Sequence, residues 1–232
     1  MGIKYELQHR VVDPLQFQFD AFPSLRYQPL PWLNRPKAKR ATGTSQRWDF
    51  IKPELITAGV KSAVDVGCNV GFFSFAMGEL GISVIGVDVD ERNLRMAAFA
   101  RRRLAMSNVG FLSMEVGPTT ASILPRTDAA LVLSVWHHWV KVFGLSDATR
   151  ILSTIWDHTA TIMFFETGQQ EMPPEYGMPA MHPSPAEWLA QYLSETCEHS
   201  NVRSLGEFKA FAPGGSETEL TVVRTLFRVC RS

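Results

Sequence analysis

The sequence has 232 residues, 45% of them hydrophobic and 20% charged, which supplies enough apolar material for one sizeable core and excludes wholesale disorder. Its 23 Lys and Arg are balanced by 23 Asp and Glu, so the basic excess of many nucleic-acid binders is missing and charge alone names no partner. Three cysteines cannot build the framework of a small secreted scaffold, and neither a signal-peptide core nor an apolar run of about 18 residues occurs, so a cytoplasmic protein without membrane insertion is expected.

Residues 1–46 hold Pro14, Pro23, Pro29, Pro31 and Pro36 among several aromatics. Such a composition breaks long elements while offering packing surface, and it predicts an irregular cover segment ahead of a single domain over residues 47–232. Within it, Arg26 and Tyr27 are candidates to reach an acceptor, and the basic run from Asn34 to Arg40 reads as a solvated loop or a phosphate contact. Ser45 is expected to cap a short helix bearing Phe50, Ile51 and Leu55. Short apolar runs then alternate with amphipathic stretches. Strands are predicted at Ser62 to Val66, Ser83 to Asp88, Val109 to Met114, Ala129 to Ser134, Thr161 to Glu166 and Thr221 to Cys230. Helices are predicted over residues 71–80, Glu91 to Ser107 and Leu145 to Leu152. This alternation makes the fold a doubly wound α/β sandwich around a mostly parallel sheet. A long loop, Thr167 to Pro185, follows the Thr161 strand, where open α/β sheets place their ligand crevice. Its Met172, Met178 and Met181 suit an adaptable lid or simple gap filling.

The most informative stretch runs from Val64 to Ser74, a strand entering a helix through Gly67 and Gly71. Glycine allows a sharp turn and a close ligand approach. The dinucleotide fingerprint G-x-G-x-x-G is absent, because Asn69 and Phe72 stand at its second and third glycines. Asp65 ahead of the turn would repel a pyrophosphate and suits a cationic ligand. Asp88, ending the next strand, can accept both hydroxyls of a ribose. Asn69 is compatible with the turn, since asparagine tolerates left-handed backbone.

The strand ending at Ser134 leads into Val135-Trp136-His137-His138-Trp139, a concentration of imidazole and indole outside a strand's carboxyl end. Adjacent residues point about 100° apart on a helix, so His137 and His138 are poorly placed to share a metal, and no metal site is expected. One imidazole is instead expected to act as general base or positioning donor. An alcohol acceptor needs such a base, whereas a phosphate monoester is already ionised and needs cations.

Asp65, Gly67, Asn69, Gly71 and Asp88 together resemble the first motif and second-strand acid of class I S-adenosylmethionine-dependent methyltransferases. The resemblance covers roughly residues 45–170 and implies a Rossmann-like seven-stranded sheet with S-adenosyl-L-methionine as cofactor. It implies cofactor contacts at Arg47, Asp65, Gly67, Cys68, Asn69, Gly71, Phe72, Phe73, Asp88, Val89, Glu115 and Ser134, with His137 or His138 catalytic. Glu166 would touch the acceptor, orient His137 or simply accept buried hydrogen bonds. The segment Ser134 to Gly144, Thr44 to Ile51 and Pro174 to Gly177 are similar to the methyltransferase domain of bacterial O-antigen chain-terminating methyltransferase/kinases, although a chain of this length leaves no room for a kinase domain. Gly67 to Gly71 is equally similar to RNA 5′-phosphate methyl-capping enzymes. The resemblance thus implies a hydroxyl or phosphate acceptor on a saccharide or small metabolite. An RNA methyltransferase and a catalytically silent cofactor-binding module are the alternatives, and no oligomeric state is legible.

Overall fold

The computed structural model describes residues 28–29, 41–210 and 222–232. Helix α1 (Ala41–Thr57) is followed by β1 (Ser62–Val66), α2 (Phe72–Glu79), β2 (Ser83–Asp88), α3 (Glu91–Arg103) and β3 (Val109–Ser113). Then come β4 (Thr127–Leu133), α4 (Trp136–Asp157), β5 (Thr159–Glu166), α5 (Pro185–Thr196), β6 (Ser200–Ala210) and β7 (Val222–Arg231). The strands form one seven-stranded sheet in the order β3-β2-β1-β4-β5-β7-β6, parallel except for β7, which pairs antiparallel with both β5 and β6. A doubly wound, mostly parallel sheet is therefore the observed fold.

The central strands are apolar on both faces because helices cover both. Ala129, Ala130, Leu131 and Val132 of β4 are all completely buried. One core joins Ile51 and Leu55 of α1 to Phe73, Phe75 and Met77 of α2 and Ala100 of α3. The other joins Trp136, Ile151 and Trp156 of α4 to Leu189 and Leu193 of α5. Asp90 starts α3 by accepting from the Arg92 main-chain N–H at 2.8 Å, and Arg101, Arg102 and Arg103 end it, each favourable to the helix dipole.

Several sequence expectations are corrected. Ser45 lies inside α1 rather than capping it, and α1 runs unbroken across the expected boundary before Arg47. The expected helix at Leu145 extends back to Trp136, interrupted at Gly144, whose φ of 81° and ψ of 165° no helix contains. Helix α5 and strand β6 were not expected. Strand β6 alternates weakly, with Arg203, Glu207 and Lys209 exposed at the sheet edge, so it lacks the apolar run that marked the inner strands. The basic run at Asn34 to Arg40, with Arg26 and Tyr27, lies outside the described residues.

Candidate active site

Strand order reverses between β1 and β4, so the connections leaving their carboxyl ends diverge and open a crevice. A cavity of about 700 Å³ occupies it. Of the expected cofactor residues, Gly67, Asn69, Asp88, Val89, Glu115 and Ser134 line this cavity. The turn after β1 is left-handed at Gly67 (φ 71°), Asn69 (φ 54°) and Gly71 (φ 88°). Gly67 is also a packing requirement, because a Cβ there would stand 2.3 Å from Val135 Cγ2. Gly67→Ala is expected to lower stability by about 1–3 kcal/mol through strain and overpacking and to weaken ligand uptake, measured by thermal unfolding and calorimetry.

Asp88 anchors this turn. Its Oδ2 accepts from the Asn69 N–H and its Oδ1 from the Asp90 N–H, both at 2.8 Å. Each carboxylate oxygen keeps a further lone pair for a ligand hydroxyl. Asn69 and Asn93 both reach the cavity, and the Oδ1 atom of each is buried without a hydrogen-bond partner among the described residues. Two orphaned acceptors beside a carboxylate call for a ligand rich in N–H and O–H groups. S-adenosylmethionine, with an ammonium, two ribose hydroxyls and an adenine amino group, meets that demand.

The remaining expected residues sit behind the cavity wall. Asp65 is buried and accepts from the Ser74 hydroxyl at 2.6 Å, tying β1 to α2. Burial pushes its carboxyl up from 3.8 to about 6, with the nearby Asp88 charge adding to the rise and the Ser74 hydrogen bond opposing it. Cys68 and Phe73 are buried, and the space above Gly71 is filled by Phe111 and Phe75. The Phe72 main-chain N–H donates to Gln28 Oε1 at 3.4 Å, which brings Gln28 into the cavity lining.

The Asp65 shift carries a pH dependence. The folded carboxyl keeps its proton up to about pH 6 while the unfolded one releases it near 3.8, so folding takes up a proton between these values. Stability from this group is full below pH 3.8 and is lost as pH rises through about 6. Relative to the wild type, Asp65→Asn is expected to gain roughly 2–3 kcal/mol between pH 4 and pH 7, read from denaturant unfolding of both proteins.

Arg47 forms a buried ion pair through Nε with Glu166 Oε2 and donates from Nη1 to the Gly43 carbonyl at 2.8 Å. Glu166 Oε1 accepts from Ser134 Oγ at 3.1 Å, and Ser134 Oγ lies 3.4 Å from Arg224 Nη1. Arg224 in turn donates from Nε to Glu171 Oε1 at 2.8 Å. A chain of polar groups thus runs beneath the rim from α1 to the loop after β5.

His137 and His138 start α4, with ring centroids 4.3 Å apart. His138 lines the cavity, whereas His137 is buried beneath it against the loop after β5. Tyr176 stands 5.8 Å from both rings, and Lys141 Nζ lies 4.4 Å from the Tyr176 centroid. Partial desolvation, then the charges of Lys141 and Arg224, hold His138 below the ordinary histidine pKa. Met172 and Met181 are buried and fill gaps under this loop. Sequence reasoning missed Asn93, Lys141, Glu171 and Arg224. Lys141 alone had a local signal, one helical turn beyond His137 and His138.

Residues 64–158 match a protein family described as a methyltransferase domain. The O-antigen chain terminator bifunctional methyltransferase/kinase WbdD of Escherichia coli is 30% identical over 152 residues, which are 63% of this chain and 20% of that protein. The chain therefore spans about one fifth of that relative's length. A structure of the bifunctional kinase-methyltransferase WbdD superposes with a TM-score of 0.72 at 23% identity, covering 93% of this chain and 45% of that one. Magnesium protoporphyrin IX methyltransferase (ChlM) from Synechocystis PCC 6803 with bound SAM gives 0.63 at 17% identity, covering 89% and 88%. These two likenesses establish the shared fold.

Proposed function

From the premise that this chain belongs to the class I S-adenosylmethionine-dependent methyltransferases, we propose that it transfers a methyl group to a hydroxyl or phosphate oxygen carried by a saccharide or small metabolite. The observation that carries this reading is the double membership of His138, which lines the cofactor-sized cavity and also belongs to the His137, Tyr176 and Lys141 cluster at its rim. When bound, S-adenosylmethionine supplies an electrophilic methyl carbon on a sulfonium. Asp88 holds the ribose hydroxyls, Asn69 and Asn93 accept from ligand N–H and O–H groups, and Gly67 gives the close approach. At the rim, Lys141 contributes positive potential for an acceptor that carries phosphate. His138 takes the proton of an acceptor hydroxyl, and Tyr176 offers a ring face against which a sugar can lie.

Gln28 on the cavity wall supports a covering role for the segment of residues 1–46. The unpaired thiols of Cys68, Cys197 and Cys230 suit a reducing, cytoplasmic setting. Among the described residues no helix is long and apolar enough to cross a membrane.

Calorimetry with S-adenosylmethionine, followed by transfer of labelled methyl to a panel of sugars, sugar phosphates and small alcohols, tests the proposal. Uptake of the cofactor with transfer to a hydroxyl or phosphate oxygen is the expected result. Transfer confined to an RNA end, or uptake with no transfer to any acceptor, overturns it.

A further inference from the structure

We infer that the loop following β5 fixes the tautomer of His137 and thereby divides the work of the two imidazoles: His137 is a positioning residue with its hydrogen on Nε2, and His138 is the ring that takes up a proton. This rests on the methyl-transfer reading of the site. Three contacts carry it. The Gly168 main-chain N–H donates to His137 Nδ1 at 3.0 Å, and an amide N–H offers a hydrogen and no lone pair. The Thr167 hydroxyl oxygen accepts from the His137 main-chain N–H at 3.2 Å, and the same oxygen lies 3.1 Å from Nδ1. That hydroxyl can donate to the ring when Nδ1 is bare. The Gly168 N–H thus makes Nδ1 an acceptor, a role the Thr167 hydroxyl can match, and the neutral ring carries its hydrogen on Nε2.

Glycine makes this approach feasible. A Cβ on Gly168 would stand 2.4 Å from Met172 Sδ and 3.1 Å from His137 Cγ, so a side chain there would push the loop off the ring. A hydrogen on Nδ1 would face the Gly168 N–H inside a buried site and leave that amide without its acceptor.

His138 is placed differently, at the cavity wall. It is faced by His137 beside it, Lys141 on its own helix, Tyr176 from the loop and Arg224 from β7. The charges of Lys141 and Arg224 favour its neutral form at rest. In transfer to a hydroxyl, the proton would leave the acceptor oxygen for a His138 nitrogen, and the oxygen's electron pair would form the bond to the methyl carbon. The carbon–sulfur bond would break with its electron pair left on sulfur as a neutral thioether, and the proton would later pass to solvent. The His137 ring lies beside that of His138, tilted, with ring centroids 4.3 Å apart.

Nitrogen-15 spectra of the full chain labelled at histidine, recorded without acceptor and assigned with His137→Gln and His138→Gln, read the tautomer directly. His137 is expected in the Nε2–H form by about tenfold or more over the alternative. Thr167→Val should raise the Nδ1–H fraction and lower kcat about tenfold while leaving cofactor affinity within about twofold. A dominant Nδ1–H form overturns the inference, and the wild-type spectra decide this even if Thr167→Val fails to fold. A chain showing the expected tautomer yet methylating no acceptor leaves the tautomer assignment standing and removes the functional reading instead.

Discussion

Glu166→Ala is expected to destabilise the protein by about 3–5 kcal/mol, the cost of leaving a buried guanidinium without its counter-charge. Glu166 is 1% exposed and Arg47 is 5% exposed, so water cannot replace the lost carboxylate. The effect should reach beyond that pair. Ser134 loses its acceptor, and with it the linkage from Glu166 through Ser134 to Arg224 loosens at the cavity edge. Denaturant unfolding of Glu166→Ala, Arg47→Met and the combined Arg47→Met/Glu166→Leu protein checks the cause. The double variant, which removes both charges and keeps apolar bulk, should recover most of the loss. A double variant as unstable as Glu166→Ala would assign the loss to packing and not to the stranded charge.

The largest catalytic effect is expected at His138. His138→Ala should lower turnover on a hydroxyl acceptor by ~10²-fold or more while cofactor affinity changes only a few fold, because the proposed cofactor groups Asn69 and Asp88 sit in the turn after β1 and at the end of β2. Rate against pH adds a sharper readout. The wild type should lose activity as pH falls through the His138 pKa, which lies below the ordinary histidine value, and the variant should lack that limb. Undiminished turnover in His138→Ala, with the acid limb intact, would take the proton-accepting role away from this residue.

The parts of this molecule legible in the sequence are those written in local pattern. Val64, Val66, Val84 and Val87 sit in strands whose apolar run survives because helices cover both faces, so β1 and β2 could be read directly. The left-handed turn at Gly67, Asn69 and Gly71 was also legible, since few residue types suit it. Strand β6 was not, because an edge strand presents charge to solvent and so mutes its own alternation. Asp65 belonged to a cofactor motif by sequence, yet its side chain faces Ser74 and not the cavity, a direction no spacing rule encodes. Arg224 was least accessible of all. Its partners Glu171 and Ser134 lie 53 and 90 positions away in the chain, and only the antiparallel return of β7 beside β5 brings it beneath the rim.

The contact between Val135 and the bare backbone at Gly67 has one more consequence. Val135 precedes α4 and its carbonyl accepts from the His138 main-chain N–H at 2.8 Å, so the glycine turn after β1 and the start of α4 abut closely. On the proposed reading, loading of either substrate is expected to bias the other through this shared wall. By thermodynamic reciprocity, whatever factor the acceptor lends to cofactor affinity, the cofactor returns to the acceptor in equal measure.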